Sequence, residues 1–183
     1  MYSDNKEILV LGLGNILMQD EGVGVRAVEA LECRYILPET VTLMDGGTTG
    51  TELLEPMRNV KQLLVADAIN TGDPNGTLVR IADEQVPAFF QTKLSNHQLG
   101  LSDLLALLML TDEQPDHVTI VGLVPHSLEN QLGLTPEAEQ GVEDMVEQLL
   151  VELKRLGVEP IKREKPLLGH WQHQADLEQM KCA

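Results

Sequence analysis

Cysteine is scarce in this chain, with only Cys33 and Cys182 among its 183 residues. Cys33 falls in the first expected helix and Cys182 is the penultimate residue, so we do not expect a structural disulfide between them. Neither cysteine has a partner at the Cys-x-x-Cys spacing of a metal site. This usage fits a reducing cytoplasm, which is the location we expect.

Aromatic residues and positive charges are also in short supply. Phe, Trp and Tyr make up 3% of the chain, so the core must be built from Leu, Val, Ile and Met. Lys and Arg total 13 against 29 Asp and Glu, and the formal charge of −16 argues against nucleic acids and anionic membrane surfaces as partners. No apolar run approaches the length of a membrane span, and we expect no signal peptide.

A glycine-rich turn near the N-terminus organises the chain. The apolar run at residues 8–11 predicts a buried strand, and Gly12 and Gly14 predict a tight turn after it. Apolar residues then recur every four positions, as on one face of a helix: Val23, Ala27, Leu31 and Tyr35. A dinucleotide site begins in the same way, but Leu17 stands where the third glycine of that fingerprint is expected.

Two acids, Asp20 and Glu21, stand where this helix is expected to begin. They could simply cap the helix and interact with its dipole. They could instead point into a cleft and bind a cation. They would repel a phosphate, which counts against a nucleotide-binding enzyme, the alternative in which Asp45 would hold a ribose.

The rest of the chain predicts alternating strands and helices. Further strands are expected at residues 41–44, 63–66, 77–81 and 118–121, with 77–81 at a sheet edge. Helices are expected around residues 51–57, from about 98 to 110 and from Pro136 to Gly157, whereas residues 86–90 are irregular or briefly helical. We therefore predict an α/β fold: a single domain at 1–160, with a mostly parallel twisted sheet of about five strands sandwiched between helices. Residues 161–183 are expected to be a C-terminal tail, partly disordered.

Acidic side chains are expected at the carboxyl ends of three strands. Glu21 follows the first strand, Asp45 ends the second and Asp67 ends the third. In an open parallel sheet these ends meet along one edge, which is where sites form. Each acid alone could be a turn or cap residue. Together they would repel one another unless their pKa values rise or a cation binds between them.

His97 is a candidate for a neutral ligand at the same edge. It stands at the expected start of a helix, whose dipole disfavours the imidazolium form and favours the neutral ring that binds metals. A surface or capping role is the alternative. Two carboxylates and an imidazole suit Zn, Ni, Mn or Fe, and three protein ligands leave positions open for a substrate. Since no Gly-x-Ser-x-Gly or His-Glu-x-x-His motif occurs, the residues alone predict a metal-assisted hydrolase of unnamed substrate.

An ordered set of motifs resembles the [NiFe]-hydrogenase maturation endopeptidases. The motifs lie between residue 8 and about residue 160: Gly12-Leu-Gly-Asn15, Asp20-Glu-Gly-Val-Gly-Val-Arg26, Asp45-Gly-Gly-Thr-Thr-Gly50, Val65-Ala-Asp-Ala68, Ser95-Asn-His-Gln-Leu-Gly100, Val121-Gly-Leu-Val-Pro125 and Gly133-Leu-Thr-Pro136. Each motif alone is weak, whereas the ordered combination is specific. The resemblance implies the same sandwiched sheet that the alternation predicts.

The resemblance also implies a reaction and a set of site residues. Glu21, Asp67 and His97 would form the metal site and act in catalysis through the metal, with Asp45 as a further catalytic candidate. Substrate recognition is expected from Asp45, Gly46, Gly47 and Thr48. The family removes a short C-terminal extension from the nickel-loaded precursor of the hydrogenase large subunit.

Nickel would be supplied by the precursor and would serve as the recognition signal, and other divalent metals can substitute for it. The expected partner is therefore the large-subunit precursor, with no nucleic acid and no membrane. A non-catalytic nickel-binding maturation chaperone would share the ligand set and is the alternative function.

Overall fold

The computed structural model describes residues 7–91 and 100–181 of the chain. Within them lie seven strands: β1 (Ile8–Leu13), β2 (Tyr35–Ile36), β3 (Val41–Gly47), β4 (Gln62–Ala68), β5 (Leu78–Ala82), β6 (His117–Leu123) and β7 (Ile161–Lys162). The helices of the described part are α1 (Val23–Arg34), α2 (Leu54–Met57), α3 (Gln85–Gln91), α4 (Leu101–Leu110), α5 (Pro136–Arg155) and α6 (His170–Lys181), with 3₁₀ turns at Gln19–Gly22 and Thr51–Leu53.

Five strands form the central sheet in the order β3-β1-β4-β6-β5. Strand β1 pairs in parallel with β3 and β4, and β4 pairs in parallel with β6. Strand β5 pairs antiparallel with β6 at the edge. The predicted α/β fold, with a mostly parallel five-stranded sheet between helices, is confirmed, and so is the edge position of residues 77–81.

The inner strands direct apolar side chains to both faces of the sheet, and helices cover both faces as a result. One core lies between the sheet and helices α1 and α5, and it contains Val10, Leu64, Ala66, Leu31, Met145 and Leu149. The other lies on the opposite face with α2, α3 and α4, and it contains Leu11, Leu63, Val65, Met57, Val86 and Leu104. Each acid at a strand end points toward one of these two faces, according to its position in the strand.

The long helix α5 forms as its sequence predicts. The Thr135 hydroxyl caps it by accepting a hydrogen bond from the Ala138 N–H at 3.2 Å, and Pro136 occupies the first helical position. Its expected apolar stripe is buried at Val142, Met145, Val146, Leu149 and Leu153. Gly157, with φ of +80°, ends the helix in the left-handed conformation that glycine adopts without strain.

Several elements differ from their predicted bounds. Strands β3 and β4 continue through Asp45 and Asp67, because their last residues still pair with β1 and β6. Residues 85–91 form a regular helix, α3, and α4 begins at Leu101 after the extended Gly100, whereas the predicted start near residue 98 lies outside the described residues. A hydrogen bond of 2.9 Å from the Gly100 N–H to the Asp103 carboxylate supports this start.

The segment beyond residue 160 differs most from expectation. It was predicted as a partly disordered tail, but residues 161–162 form β7, which pairs antiparallel with β2, and residues 170–181 form α6. The low apolar periodicity of the segment gave no local sign of a helix. Helix α6 is attached by polar contacts with α1 and β3, whose contacting residues lie more than 120 positions away in the sequence.

Candidate active site

The glycine-rich segment after β1 places the 3₁₀ turn at Gln19–Gly22 over the end of the sheet. A Cβ at Gly14, whose φ is +127°, would lie 1.8 Å from the carbonyl oxygen of Glu21. A Cβ at Gly24 would lie 2.2 Å from the carbonyl oxygen of Ala66 in β4. Glycine is therefore required at both positions, and Gly24 allows the close approach of helix to strand that a third glycine provides in dinucleotide sites. The Gln19–Gly22 turn contacts β4 as a result.

Asp20 is a structural acid. Its side chain is fully buried and accepts hydrogen bonds from the backbone N–H groups of His126, Ser127 and Thr135 at 3.0, 3.0 and 2.8 Å. The Thr135 hydroxyl donates a fourth at 2.9 Å. Asp20 therefore ties the loop after β6 and the start of α5 to the end of β1. It is neither a helix cap nor a cation ligand, the two roles considered from the sequence.

Glu21 differs from its neighbour in both exposure and charge environment. It is half-buried in the 3₁₀ turn, and burial raises the pKa of its carboxyl group. Loss of water without a compensating positive charge disfavours the carboxylate. A bound cation, or a proton passed on in catalysis, would relieve that cost. Glu21 is thus the member of the pair suited to bind a metal or move a proton.

Asp67 and Asp45 leave the sheet on opposite faces. Asp45 and Ala66 both align with Gly12 of β1, so their side chains point the same way, toward α1. Asp67 is one residue further along β4 and points with Val65 toward the face of α2, α3 and α4. The two acids lie at the carboxyl ends of neighbouring parallel strands, as predicted, but on opposite faces of the sheet.

Asp45 and the residues after it form a tight turn beside α6. The Gly46 carbonyl accepts hydrogen bonds from the N–H of Thr49, at 2.9 Å, and from its hydroxyl. Gly47 has φ of +49° and Thr48 is exposed. One carboxylate oxygen of Asp45 accepts a 2.8 Å hydrogen bond from the Trp171 indole N–H. A surface pocket of about 230 Å³ with Asp45 and Trp171 in its lining lies between β3, α1 and α6.

The remaining predicted ligand, His97, lies outside the described residues. Within residues 7–91 and 100–181, no group of three or more His, Cys, Asp or Glu side chains is placed to hold a metal ion. The ligand set of Glu21, Asp67 and His97 therefore stays a prediction. Helix α4, which follows His97 in the chain, packs on the face toward which Asp67 points.

Sequence reasoning missed two residues at this end of the molecule. Thr135 was identified as a helix cap, but its second hydrogen bond to Asp20 joins sequence positions 115 apart. Trp171 belongs to the segment predicted as a tail, yet its indole N–H contacts Asp45; the isolated tryptophan in an aromatic-poor chain is the sequence signal for this contact. Cys33 carries a free thiol, and Cys182 lies beyond the described part.

Residues 25–152 match the family model of the hydrogenase maturation proteases. The chain belongs to this family. This hydrogenase maturation protease is 53% identical over 158 residues to the hydrogenase 2 maturation protease of Escherichia coli K12, covering 86% of this chain and 96% of that relative. It is 41% identical to the hydrogenase expression/formation protein HupD of Thiocapsa roseopersicina, covering 90% of this chain and 75% of that relative.

Solved structures agree with this assignment. The hydrogenase maturating endopeptidase HybD from E. coli superposes with a TM-score of 0.81 at 52% identity, covering 86% of this chain and 98% of that one. The [NiFe] hydrogenase maturation protease HybD from Thermococcus kodakarensis superposes with a TM-score of 0.66 at 25% identity, covering 80% and 98%. The protein is thus a hydrogenase maturation endopeptidase. None of its described helices has the length and apolar character to cross a membrane.

Proposed function

We propose that this endopeptidase removes a short C-terminal extension from the precursor of a [NiFe]-hydrogenase large subunit after nickel has been inserted. Family membership supports the peptidase activity, which a nickel-carrying chaperone would lack. The finer assignment depends on one observation: Glu21 and Asp67 lie at the same end of β1 and β4, where partial burial raises the pKa of the Glu21 carboxyl group. The reducing cytoplasm is the proposed place of this reaction.

In this proposal nickel belongs to the substrate. Glu21, Asp67 and His97 occupy free coordination positions on the nickel that the precursor's cysteines hold, a mixed oxygen and nitrogen set that suits this metal. The contact fixes the precursor and aligns the scissile peptide. A precursor without the metal lacks this contact, so nickel acts as the recognition signal, and another divalent ion of similar coordination preference can substitute for it.

The acids have different roles in the reaction because they lie on different faces of the sheet. Glu21 or Asp67 takes the proton of the water that attacks the scissile carbonyl and returns it to the leaving amine. Asp45 points to the opposite face from Asp67, so we assign it to substrate binding together with Gly46, Gly47 and Thr48. The exposed turn after β3 gives this segment open backbone groups for a peptide to contact.

Mass spectrometry of the precursor before and after incubation tests the proposal. The wild type should shorten the nickel-loaded precursor and leave the nickel-free precursor intact. His97→Ala, Glu21→Gln and Asp67→Asn should lose processing while keeping the wild-type circular dichroism spectrum. Glu39→Gln, which neutralises an exposed acid before the start of β3, at the opposite end of the strand from Asp45, is the control.

Three results would contradict the proposal. Equal processing of nickel-loaded and nickel-free precursor would remove nickel as the signal. Normal processing by a folded His97→Ala protein would remove His97 from the site, and an unchanged precursor mass with the wild type would reject the substrate itself.

A further inference from the structure

Helix α6 lies outside the region that defines the family. The family model ends at residue 152, and the E. coli relative is matched over 96% of its own length while covering 86% of this chain. The helix nevertheless has a defined position, packed on α1. Helix α6 is therefore an added element, and it docks beside the expected substrate-binding turn.

The contacts of α6 place hydrogen-bond donors against two carboxylates. Glu29 of α1 accepts hydrogen bonds from the backbone N–H groups of Trp171 and Gln172, at 2.6 and 3.1 Å, so it caps the N-terminus of α6. Asp45 accepts the indole N–H of Trp171 at 2.8 Å. The body of the protein thus offers an acceptor surface, here defined by Glu29 and Asp45, and α6 supplies donors to it. Beside this surface Arg26, whose guanidinium lies 3.5 Å from the Glu29 carboxylate, donates a hydrogen bond to the Gln172 side chain of α6.

Apolar packing in this attachment comes mainly from Ala175 and the half-buried ring of Trp171. Among the α6 side chains whose burial is described, Ala175 alone is buried, whereas Leu177 and Met180 are 39% and 77% exposed. The main polar contacts can be exchanged for hydrogen bonds to water. In contrast, α5 buries a continuous apolar stripe. Helix α6 is therefore an element that can leave its position without disturbing either core.

We infer that α6 is a displaceable cover over the acceptor surface of Glu29 and Asp45, and that the precursor binds this surface when α6 leaves. The inference rests on the proposed function, in which Asp45 belongs to the substrate-binding segment. Because α6 occupies the surface with N–H donors at a helix N-terminus, the precursor segment that replaces it should be rich in N–H donors. It should also carry positive charge opposite Asp45, since Glu29 is already paired with Arg26. The formal charge of −16 favours the same class of segment.

Full-length variants that undock α6 test the inference. Ala175→Asp places a charge at the buried contact, and Trp171→Phe keeps the aromatic ring but removes the donor to Asp45. Both should lower KM for the precursor, by about three- to tenfold for Ala175→Asp, and leave kcat unchanged, because the free surface no longer has to be uncovered. His173→Asp introduces the same charge at an exposed position of α6 and should match the wild type.

The single tryptophan of the chain gives a second measurement. In ¹⁵N-labelled protein, the one indole N–H resonance reports the Trp171 contact. Ala175→Asp should move this resonance to the position of a solvent-exposed indole, and unlabelled precursor should move the wild-type resonance in the same direction. An unrelated folded protein with no basic segment should leave it in place.

The outcomes separate this inference from the proposed function. If the wild type processes the precursor but Ala175→Asp gives an unchanged or higher KM, the cover is rejected and the processing activity stands. An indole resonance that stays unmoved at saturating precursor also rejects the cover. If the wild type processes no precursor, both proposals fall.

Discussion

At the scale of single residues, adjacent acids have different roles because their surroundings differ. Asp20 is fully buried and has four hydrogen-bond donors directed at its two oxygens, so both oxygens are engaged within the protein. Glu21 is half-buried, and burial raises its pKa. The first arrangement stabilises the fold, and the second leaves a carboxyl group that is partly accessible from solvent.

The Asp20 network predicts a large effect of a small substitution. Asp20→Asn replaces an acceptor oxygen with an NH₂ group that must face N–H donors, so buried donors lose their partner. We expect the free energy of unfolding to fall by about 2–4 kcal/mol, as is typical when a buried hydrogen-bond network is broken. Urea unfolding at pH 7 measures this loss.

A matched substitution controls for the change of charge. Asp144→Asn makes the same chemical change at an exposed position of α5 and should leave the urea midpoint within error of the wild type. An Asp20→Asn protein with the wild-type midpoint would show that the donors find other partners, against the role assigned to Asp20.

At the scale of elements, charged side chains join α5 to the edge strand β5. Glu152 of α5 is almost fully buried and accepts two hydrogen bonds from the Arg80 guanidinium, at 2.7 and 2.9 Å. Gln148 and Arg155 donate to it as well, at 2.7 and 2.9 Å. The Arg80 hydrogen bonds, more than any other contact, hold the pKa of Glu152 below its ordinary value.

This clamp predicts a pH-dependent contribution to stability. Because the folded-state pKa is depressed, the contribution is full above the ordinary Glu pKa of about 4.3 and is lost as the pH falls through the folded value. Glu152→Gln should therefore be less stable than the wild type at pH 7, by about 1–3 kcal/mol, with the difference shrinking below about pH 4. Chemical unfolding at a series of pH values measures it.

Glu147→Gln is the control for this clamp, since it removes a charge at an exposed position of the same helix. It should show a small difference from the wild type at every pH. A Glu152→Gln deficit that stays constant down to pH 3 would argue that packing, rather than the ion pair, causes the loss.

At the scale of the whole molecule, the excess of acids affects stability as well as recognition. A formal charge of −16 on 183 residues produces mutual repulsion in the folded state. Salt screens repulsion between exposed charges, with a Debye length of about 10 Å at 0.1 M. Raising NaCl from about 0.01 to 0.5 M at pH 7 should therefore increase the melting temperature, by about 2–5 °C.

Differential scanning calorimetry in NaCl and KCl checks this expectation. Equal shifts in the two salts indicate screening, whereas a shift with one cation alone indicates a specific ion site. A melting temperature that falls with salt would mean that attractive pairs, such as those of Arg34 with Glu143 and Lys61 with Glu7, outweigh the net repulsion.

Local patterns in the sequence determined most of the fold and the family. The glycine turn after β1, the alternation of strands and helices, and the capped stripe of α5 are each encoded within about 20 neighbouring residues, where periodicity and backbone preference act directly. The ordered motifs by themselves indicate a hydrogenase maturation endopeptidase. The strand ends also indicated the edge at which Glu21, Asp45 and Asp67 lie.

The tertiary structure alone decided how those residues are used. Strand pairing extended β3 and β4 far enough that alternation sends Asp45 and Asp67 to opposite faces. Packing brought Thr135 to Asp20 and Trp171 to Asp45, across 115 and 126 positions of sequence. Such contacts have no local signature, because the free energy of each depends on the elements that carry its two partners. Their geometry therefore emerges only when the sheet, α1 and α6 are packed together.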